Sequence, residues 1–334
     1  MFQYYYTLLN SKDRQVYDDI CRAFQNESLV VHTSLQGITK EKLSEIVNAV
    51  RDDHPEFAFC HWSVTYSDSK LEFKMPFVNV YKMRKYRSQL ETIQRQISTQ
   101  NTEYGKEKFI HDYIVQHVDF DHDEITNNSF SIVNHTVEGA LKQGKSVCEG
   151  IARLTQLLLL SAGLKAIYVS GTSRSFAEDE PGGHAWVIVY LDGGYYHLDV
   201  SHDICLTSDK SHIRYNYFNL TDDEILHDHD FEHPEKLYGL ACRSVKHNYF
   251  NMYDRYFMQT FEIYIKTLSF LRTFILNQSQ NTLVFKVSSN ITENIVMENV
   301  KKAMNVVVGE SGKKLECSVS EVELQNVYTF VFNT

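Results

Sequence analysis

The chain is poor in proline and has no run of hydrophobic residues long enough to cross a membrane. Its 334 residues include only 4 prolines and 14 glycines, which argues against long disordered linkers. The longest purely aliphatic run is Leu157 to Leu160, whereas a membrane-spanning helix needs about 20 apolar residues. The N-terminus has neither the basic nor the apolar stretch of a secretory leader. We expect a soluble protein, cytoplasmic as the sequence stands and secreted only if a leader was removed.

Positive charge is also in short supply. Lysine and arginine together number 33 against 43 aspartates and glutamates, so the formal net charge is −10. A surface this acidic repels phosphate backbones. Nucleic acid is therefore not an expected partner.

Paired cysteines are missing as well. The six cysteines are scattered and form no C-x-x-C pair: Cys21, Cys60, Cys148, Cys205, Cys242 and Cys317. Disulfide scaffolds and zinc ribbons both depend on such spacings, so neither is indicated. A cysteine without a special context is most often a small buried hydrophobic residue.

The hydrophobic pattern divides the chain into three predicted regions. Residues 1–100 alternate between helical and strand-like segments and predict an N-terminal α+β region. Residues 101–245 predict a catalytic core, and residues 246–334 predict a helix, over Tyr253 to Phe274, followed by a small β-α-β-β extension.

Within the predicted core, one helix precedes an antiparallel meander. The helical run covers Val147 to Ala162 and stops at Gly163, a typical helix C-cap. Three strand-like segments follow, with a turn at Asp192-Gly193-Gly194 before the last: Ala166–Ser170, His184–Leu191 and Tyr195–Val200. The expected fold class is α+β, with the helix packed on the sheet.

Three residues in this core have the chemistry of a thiol enzyme. Cys148 lies in the first turn of its helix, where the dipole and unpaired N–H groups favour the nucleophilic thiolate. His184 follows after 36 residues and Asp199 after 15 more. The second gap suits a hairpin that places both side chains on adjacent strands. The pattern predicts a nucleophile, a base and a carboxylate that orients the base.

The segments around these residues carry a family resemblance. The order of Cys148-Glu-Gly-Ile-Ala152, Gly183-His-Ala-Trp186 and His197-Leu-Asp-Val-Ser201 is similar to the transglutaminase-like superfamily, particularly its bacterial branch. Asn134 to Leu141, Tyr217 to Asp223 and the His229-Asp230 pair also resemble family segments. The resemblance covers roughly residues 105 to 245.

The resemblance implies a papain-related cysteine enzyme core. Carried over by motif, Cys148 is the nucleophile, His184 the general base and acid, and Asp199 the orienting residue. Gln143, five residues before the cysteine, is a candidate oxyanion donor. Trp186 lies on the same strand face as His184 and either covers that histidine or fills the core. The implied substrate is a protein or peptide, with an amine as acceptor.

The sequence is compatible with three functions. The first is a protein-glutamine acyltransferase that works through a thioester. The second is a cysteine peptidase or amidase, since the same triad serves water and amines alike. The third is a peptide- or glycan-binding module that has lost catalysis, against which the intact Cys148, His184 and Asp199 count.

Two other histidine patterns are alternatives to this assignment. His197 shares a strand face with Asp199 and is an alternative base, but the G-H-A-W context favours His184. A second cluster has the residue types of metal ligands, without a known zinc spacing: His227, Asp228, His229, Asp230 and His233. We predict no metal ligands and no cofactor.

Overall fold

The fold is taken from a computed structural model that describes most of the chain. The described residues are 2–26, 28–57, 63–74, 86–127, 129–174, 182–207, 210, 212–237, 239–277, 280–322 and 325–334. None of the five cysteines among these residues forms a disulfide, and Cys60 lies outside the described residues. None of the described helices combines the length and the apolar composition that crossing a bilayer requires.

Helices make up much of the described chain, and several begin at side-chain caps. The Asn10 side chain accepts from the backbone N–H groups of Lys12 and Asp13, and Thr39 accepts from that of Lys42, so both satisfy N–H groups that a helix start leaves unpaired. The described α-helices, in chain order, are α1 Tyr4–Leu8, α2 Ser11–Gln25, α3 Lys40–Asp53, α4 Arg87–Ile97, α5 Glu103–His117, α6 His122–Thr126, α7 Cys148–Ser161, α8 Val200–Leu206, α9 Asp222–Ile225, α10 Tyr249–Met252, α11 Thr260–Asn277 and α12 Glu293–Ser311.

The strands are mostly antiparallel, and the predicted α+β fold class is confirmed. The described strands are β1 Val30–His32, β2 Ser63–Ser67, β3 Lys70–Lys74, β4 Asp119–Phe120, β5 Lys145–Ser146, β6 Lys165–Ser173, β7 Gly182–Leu191, β8 Gly194–Leu198, β9 Phe218–Leu220, β10 His229–Phe231, β11 Tyr256–Phe257, β12 Thr282–Val287, β13 Glu316–Val322 and β14 Val327–Asn333. Short helical turns at 55–57, 132–135, 139–143 and 234–236 connect some of these elements.

The chain forms two compact units. The first comprises Met1–Phe218 and His229–Ser244, and the second comprises Asn219–Asp228 and Val245–Thr334. Both the region predicted for residues 1–100 and most of the predicted core therefore lie in the first unit. The division at residue 100 stays a sequence prediction.

In the first unit, helix α7 packs on an antiparallel sheet. Strands β10, β6, β7 and β8 are neighbours in that order, and every pairing among them is antiparallel. Gly163 ends the helix region with φ +84, a left-handed conformation that glycine adopts without strain. The helix predicted over Val147 to Ala162 is thus confirmed to within one residue at each end.

A buried arginine ties α7 to α3. The guanidinium of Arg153, 1% exposed, donates to Glu149 Oε1 at 2.9 Å and to Asp52 Oδ1 at 3.3 Å. It also donates to the Arg51 carbonyl oxygen and lies over the Tyr168 ring. A buried charge is tolerated only with partners of this kind.

In the second unit, helices α11 and α12 pack on a four-stranded sheet. The strand order is β11-β12-β14-β13, and the predicted β-α-β-β order of the tail is present. The prediction of a helix starting at Tyr253 is wrong. Asp254 takes φ 56, residues 256–257 form β11 parallel to β12, and the helix begins only at Thr260. Pairing with β12 prevails there over the local helical pattern.

Replacing Arg153 with methionine should lower the free energy of unfolding by about 3–5 kcal/mol, because Glu149 and Asp52 would lose a buried cation. Arg87 and Glu91 form a matched helical pair at the surface, with 78% and 54% of their side chains exposed. Arg87→Met should cost no more than about 1 kcal/mol. Urea unfolding of both variants measures the difference, and equal losses would contradict a stabilising role for the buried pair.

Glu149 should make the protein acid-sensitive. Burial by itself would raise the pKa of Glu149, but the Arg153 charge and a hydrogen bond with His135 lower it to about 2 from its usual 4.5. The stabilisation is complete above pH 4.5 and is lost as the pH falls toward 2, up to about 3 kcal/mol. Urea midpoints measured across this range should change less in Glu149→Gln than in the wild type. The exposed Glu91→Gln should leave the pH dependence unchanged.

Candidate active site

Cys148 is the first residue of α7, where a close backbone approach fixes the helix start. The Ser146 hydroxyl donates to the Asn134 carbonyl oxygen. A Cβ atom on Gly150 would lie 2.2 Å from Ser146 Oγ and 2.5 Å from that carbonyl oxygen. Only glycine fits here. Gly150 of the C-E-G motif therefore allows the first turn of α7, which carries Cys148, to pack directly against Ser146 and the Asn134 carbonyl group.

The Cys148 thiol points at strand β7. The backbone N–H groups of Ala185 and Glu149 lie near its Sγ and by themselves would lower its pKa, so the sulfur lies beside the residue that follows His184. Burial of the thiol, together with the charges of Asp199 and Glu149, raises the pKa of Cys148 to about 12. This is opposite to the thiolate expected from the helix start, because desolvation of the sulfur outweighs the two N–H donors.

His184 and Asp199 meet across the β7–β8 hairpin. His184 Nε2 lies 2.7 Å from Asp199 Oδ2, and the two side chains are 7% and 1% exposed. Burial lowers the pKa of His184 to about 4, so the imidazole is neutral at pH 7. Burial would raise the pKa of Asp199, but the imidazoles of His202 and His184 hold it well below its ordinary value. The resting pair is a carboxylate and a neutral imidazole.

Asp199 also starts a helix that the sequence prediction missed. The strand predicted through Val200 ends at Leu198, and Asp199 is the N-cap of α8. Its Oδ1 accepts from the Ser201 hydroxyl at 2.6 Å and from the His202 N–H at 3.1 Å. These bonds fix the carboxylate plane and leave Oδ2 directed at His184.

Two further histidines surround the same oxygen. His202 Nδ1 lies 2.7 Å and His229 Nε2 3.0 Å from Asp199 Oδ2. His202 was missed because the helical i, i+3 relation to Asp199 was not expected. His229 was noted in a family-like segment and in the cluster with metal-ligand residue types. No sequence signal predicts that it contacts Asp199, which lies 30 residues earlier in the chain.

A glycine brings His229 into this cluster. Strand β10 pairs with β6, with Phe231 opposite Gly171. A Cβ on Gly171 would lie 2.0 Å from the Asp230 carbonyl oxygen and 2.9 Å from the Trp186 ring. The missing side chain lets β10 approach and lets the indole reach the His229 ring, whose centroid lies 4.9 Å away.

Trp186 both fills the core and covers the histidine. It is 1% exposed, and its ring centroid lies 6.1 Å from that of His184, with 22° between the planes. Its Nε1–H donates to His197 Nδ1 at 3.0 Å. His197 thus accepts a hydrogen bond from the indole, whereas His184 contacts Asp199.

In the described part of the chain, none of the remaining predicted residues is recorded in contact with Asp199. Gln143 is exposed at the end of the 139–143 turn, and within the described residues its side chain makes no hydrogen bond. Its role as oxyanion donor stays a prediction. His233 has a half-exposed side chain that contacts Glu235, and His227 lies in the second unit.

Comparison with known proteins finds one family. Residues 91–200 match the family model of the transglutaminase-like superfamily. None of the curated proteins compared with the chain matches it.

Solved structures show distant similarity over parts of the chain. A candidate cysteine protease from Cytophaga hutchinsonii is 20% identical over 34% of this chain and 38% of its own, with a TM-score of 0.26. A TGase is 16% identical over 49% and 48%, with a TM-score of 0.29. A candidate protease from Parabacteroides distasonis is 11% identical over 43% and 40%, with a TM-score of 0.22. The chain spans less than half the length of each.

The family match spans all three residues of the Cys148, His184 and Asp199 arrangement. The similarity of this chain to the transglutaminase-like superfamily covers residues 91–200.

Proposed function

We propose that the protein is a cysteine acyltransferase that forms a thioester between Cys148 and the carboxamide of a protein glutamine, and then transfers the acyl group to an amine. The observation that carries the proposal is the 2.7 Å contact of His184 Nε2 with Asp199 Oδ2, beside a thiol that lies near the Ala185 N–H. With Nε2 on the carboxylate, Nδ1 is the ring nitrogen left to serve the thiol.

Acylation begins with proton transfer within the triad. His184 Nδ1 takes the Cys148 proton as Sγ attacks the carboxamide carbon, and Asp199 stabilises the imidazolium that results. The imidazolium then gives this proton to the leaving nitrogen, and ammonia departs as the thioester forms. Since the thiol rests protonated, His184 acts as a general base during the attack.

Deacylation reverses the proton path. His184, now neutral, removes a proton from the incoming amine, which attacks the thioester carbon. The Cys148 sulfur leaves and regains a proton from the imidazolium, and the product is an isopeptide bond. Water in place of the amine would give hydrolysis, so the identity of the acceptor separates a transferase from a peptidase or amidase.

The tetrahedral intermediates need donors for their oxyanion. The backbone N–H of Cys148 is among the first N–H groups of α7, which have no acceptor within the helix. Together with the positive end of the helix dipole, it supports developing negative charge next to Sγ.

Incubation with a glutamine-donor peptide and a labelled primary amine should give amine incorporation that Cys148→Ala abolishes. Cys317 is a partly exposed free thiol in the second unit, so Cys317→Ala is the matched control and should retain full incorporation. Mass spectrometry of the peptide distinguishes the readings. Cleavage or deamidation without incorporation would contradict the transferase proposal, and an unchanged peptide would indicate a non-catalytic binding module.

Asp199→Asn should lower kcat at least about 100-fold with little change in KM, because the amide cannot stabilise the imidazolium. Asparagine caps a helix as well as aspartate does, so α8 should persist and far-ultraviolet circular dichroism should be unchanged. Asp230 is an exposed neighbour of His229, and Asp230→Asn should leave kcat within about twofold. Similar losses in both variants would remove Asp199 from the mechanism.

A further inference from the structure

We propose that His184, Asp199, His202 and His229 form a binding site for a zinc-class divalent cation, and that the bound cation switches off the thiol chemistry. The ion-binding half of this proposal stands on its own. The inhibitory half rests on the proposed function. The proposal differs from the sequence-based prediction of no metal. The sequence alone does not indicate that these four side chains lie together in the fold.

The thiol mechanism uses only one of the three imidazoles. His184 alone is needed as base, yet His202 and His229 direct ring nitrogens at the same carboxylate oxygen, at 2.7 and 3.0 Å. A carboxylate oxygen has two lone pairs in its plane, so three imidazole donors crowd it. Three nitrogens aimed at one buried point suit a cation better than they suit an oxygen.

The spacing fits a tetrahedral ion. The four ligand atoms lie within 4.8 Å of one another, and a tetrahedral site with bonds of about 2.0–2.1 Å places its ligand atoms roughly 3.3 Å apart. The three imidazole centroids are separated by 4.6, 4.9 and 5.2 Å, close to the roughly 5 Å that three rings around such an ion would show. Side-chain shifts of a few tenths of an ångström to about 1 Å would bring the four ligand atoms within bonding distance of one ion.

The ligand set also selects the class of ion. Three imidazole nitrogens and one carboxylate oxygen are ligands that Zn²⁺ prefers, whereas Ca²⁺ and Mg²⁺ take oxygen ligands. All four side chains are at most 8% exposed, and they come from β7, the start of α8 and β10. The Oδ1 contacts of Asp199 with Ser201 and the His202 N–H would orient the carboxylate behind the ion.

Occupancy would remove the general base. A cation on His184 Nε2 requires that nitrogen to be unprotonated, so the ring proton must move to Nδ1. Nδ1 is the atom that has to accept the Cys148 proton, and it then cannot do so. Asp199 is drawn to the cation at the same time. The acyl-transfer step therefore stops without any change at Cys148.

The test uses the full chain with Cys148→Ala, which removes the nearby thiol. Zn²⁺ should bind with one-to-one stoichiometry in calorimetry, and Co²⁺ should give the visible bands of a tetrahedral ion without the near-ultraviolet thiolate-to-cobalt band. A thiolate band, or loss of high-affinity binding in Cys148→Ala, would assign the ion to cysteine and overturn the site. This measurement leaves the four proposed metal-binding side chains unchanged. It therefore tests the site even if variants of those side chains do not fold.

Single ligand variants locate the ion. His202→Gln and His229→Gln, checked for folding by circular dichroism, should each weaken Zn²⁺ binding by more than the about 10–100-fold that losing an outer contact costs. His233→Gln removes a half-exposed histidine and should leave binding unchanged. Equal affinities in all three variants would overturn the site.

Activity separates the two halves of the proposal. In the wild type, one equivalent of Zn²⁺ should abolish amine incorporation, and a chelator should restore it. Ligand-dependent binding in a protein with no incorporation under any condition would support the ion site and contradict the proposed function. Full incorporation with the ion bound would overturn the inhibitory half.

Discussion

The carboxylate of Asp199 is the constraint on which the site depends. It is buried, ionised and shared by three imidazoles, and a buried charge is stable only where every lone pair has a partner. Its Oδ1 caps α8 through the His202 N–H, and its Oδ2 receives the histidine nitrogens. One side chain thus fixes the hairpin, the helix after it and strand β10 in a single arrangement.

The thiol is positioned differently, by close packing of the backbone around the first turn of α7. Gly150 lets the 132–135 turn approach the first turn of α7, and the buried Arg153 fixes the same helix against α3. Both act on the helix that carries Cys148, so the sulfur has a defined position against the Ala185 N–H. Cys148 and His184 are therefore positioned by separate interactions that meet at strand β7.

Cys148 and His184 both rest in their neutral forms. Burial raises the pKa of the Cys148 thiol and lowers the pKa of the His184 imidazole. In the proposed reaction, proton transfer is therefore coupled to attack on the substrate. The same burial would protect the proposed thioester from water and would preorganise the cluster around Asp199 for the proposed cation.

Local sequence determined the elements that carry the site. Capping and periodicity predicted the helix at Cys148. A 15-residue gap around a two- or three-residue turn predicted the pairing of His184 with Asp199, because hairpin register follows from turn length. Sequence could not predict the direction of the Cys148 pKa shift, which depends on desolvation by residues distant in the chain.

Tertiary structure alone decided which other groups join Asp199. His202 enters because the chain turns into a helix at Asp199 rather than continuing as a strand. His229 enters because β10 pairs with β6 over Gly171. Pairing between distant segments has no local signature, since it depends on which strand edges and side-chain volumes fit together once the chain is folded.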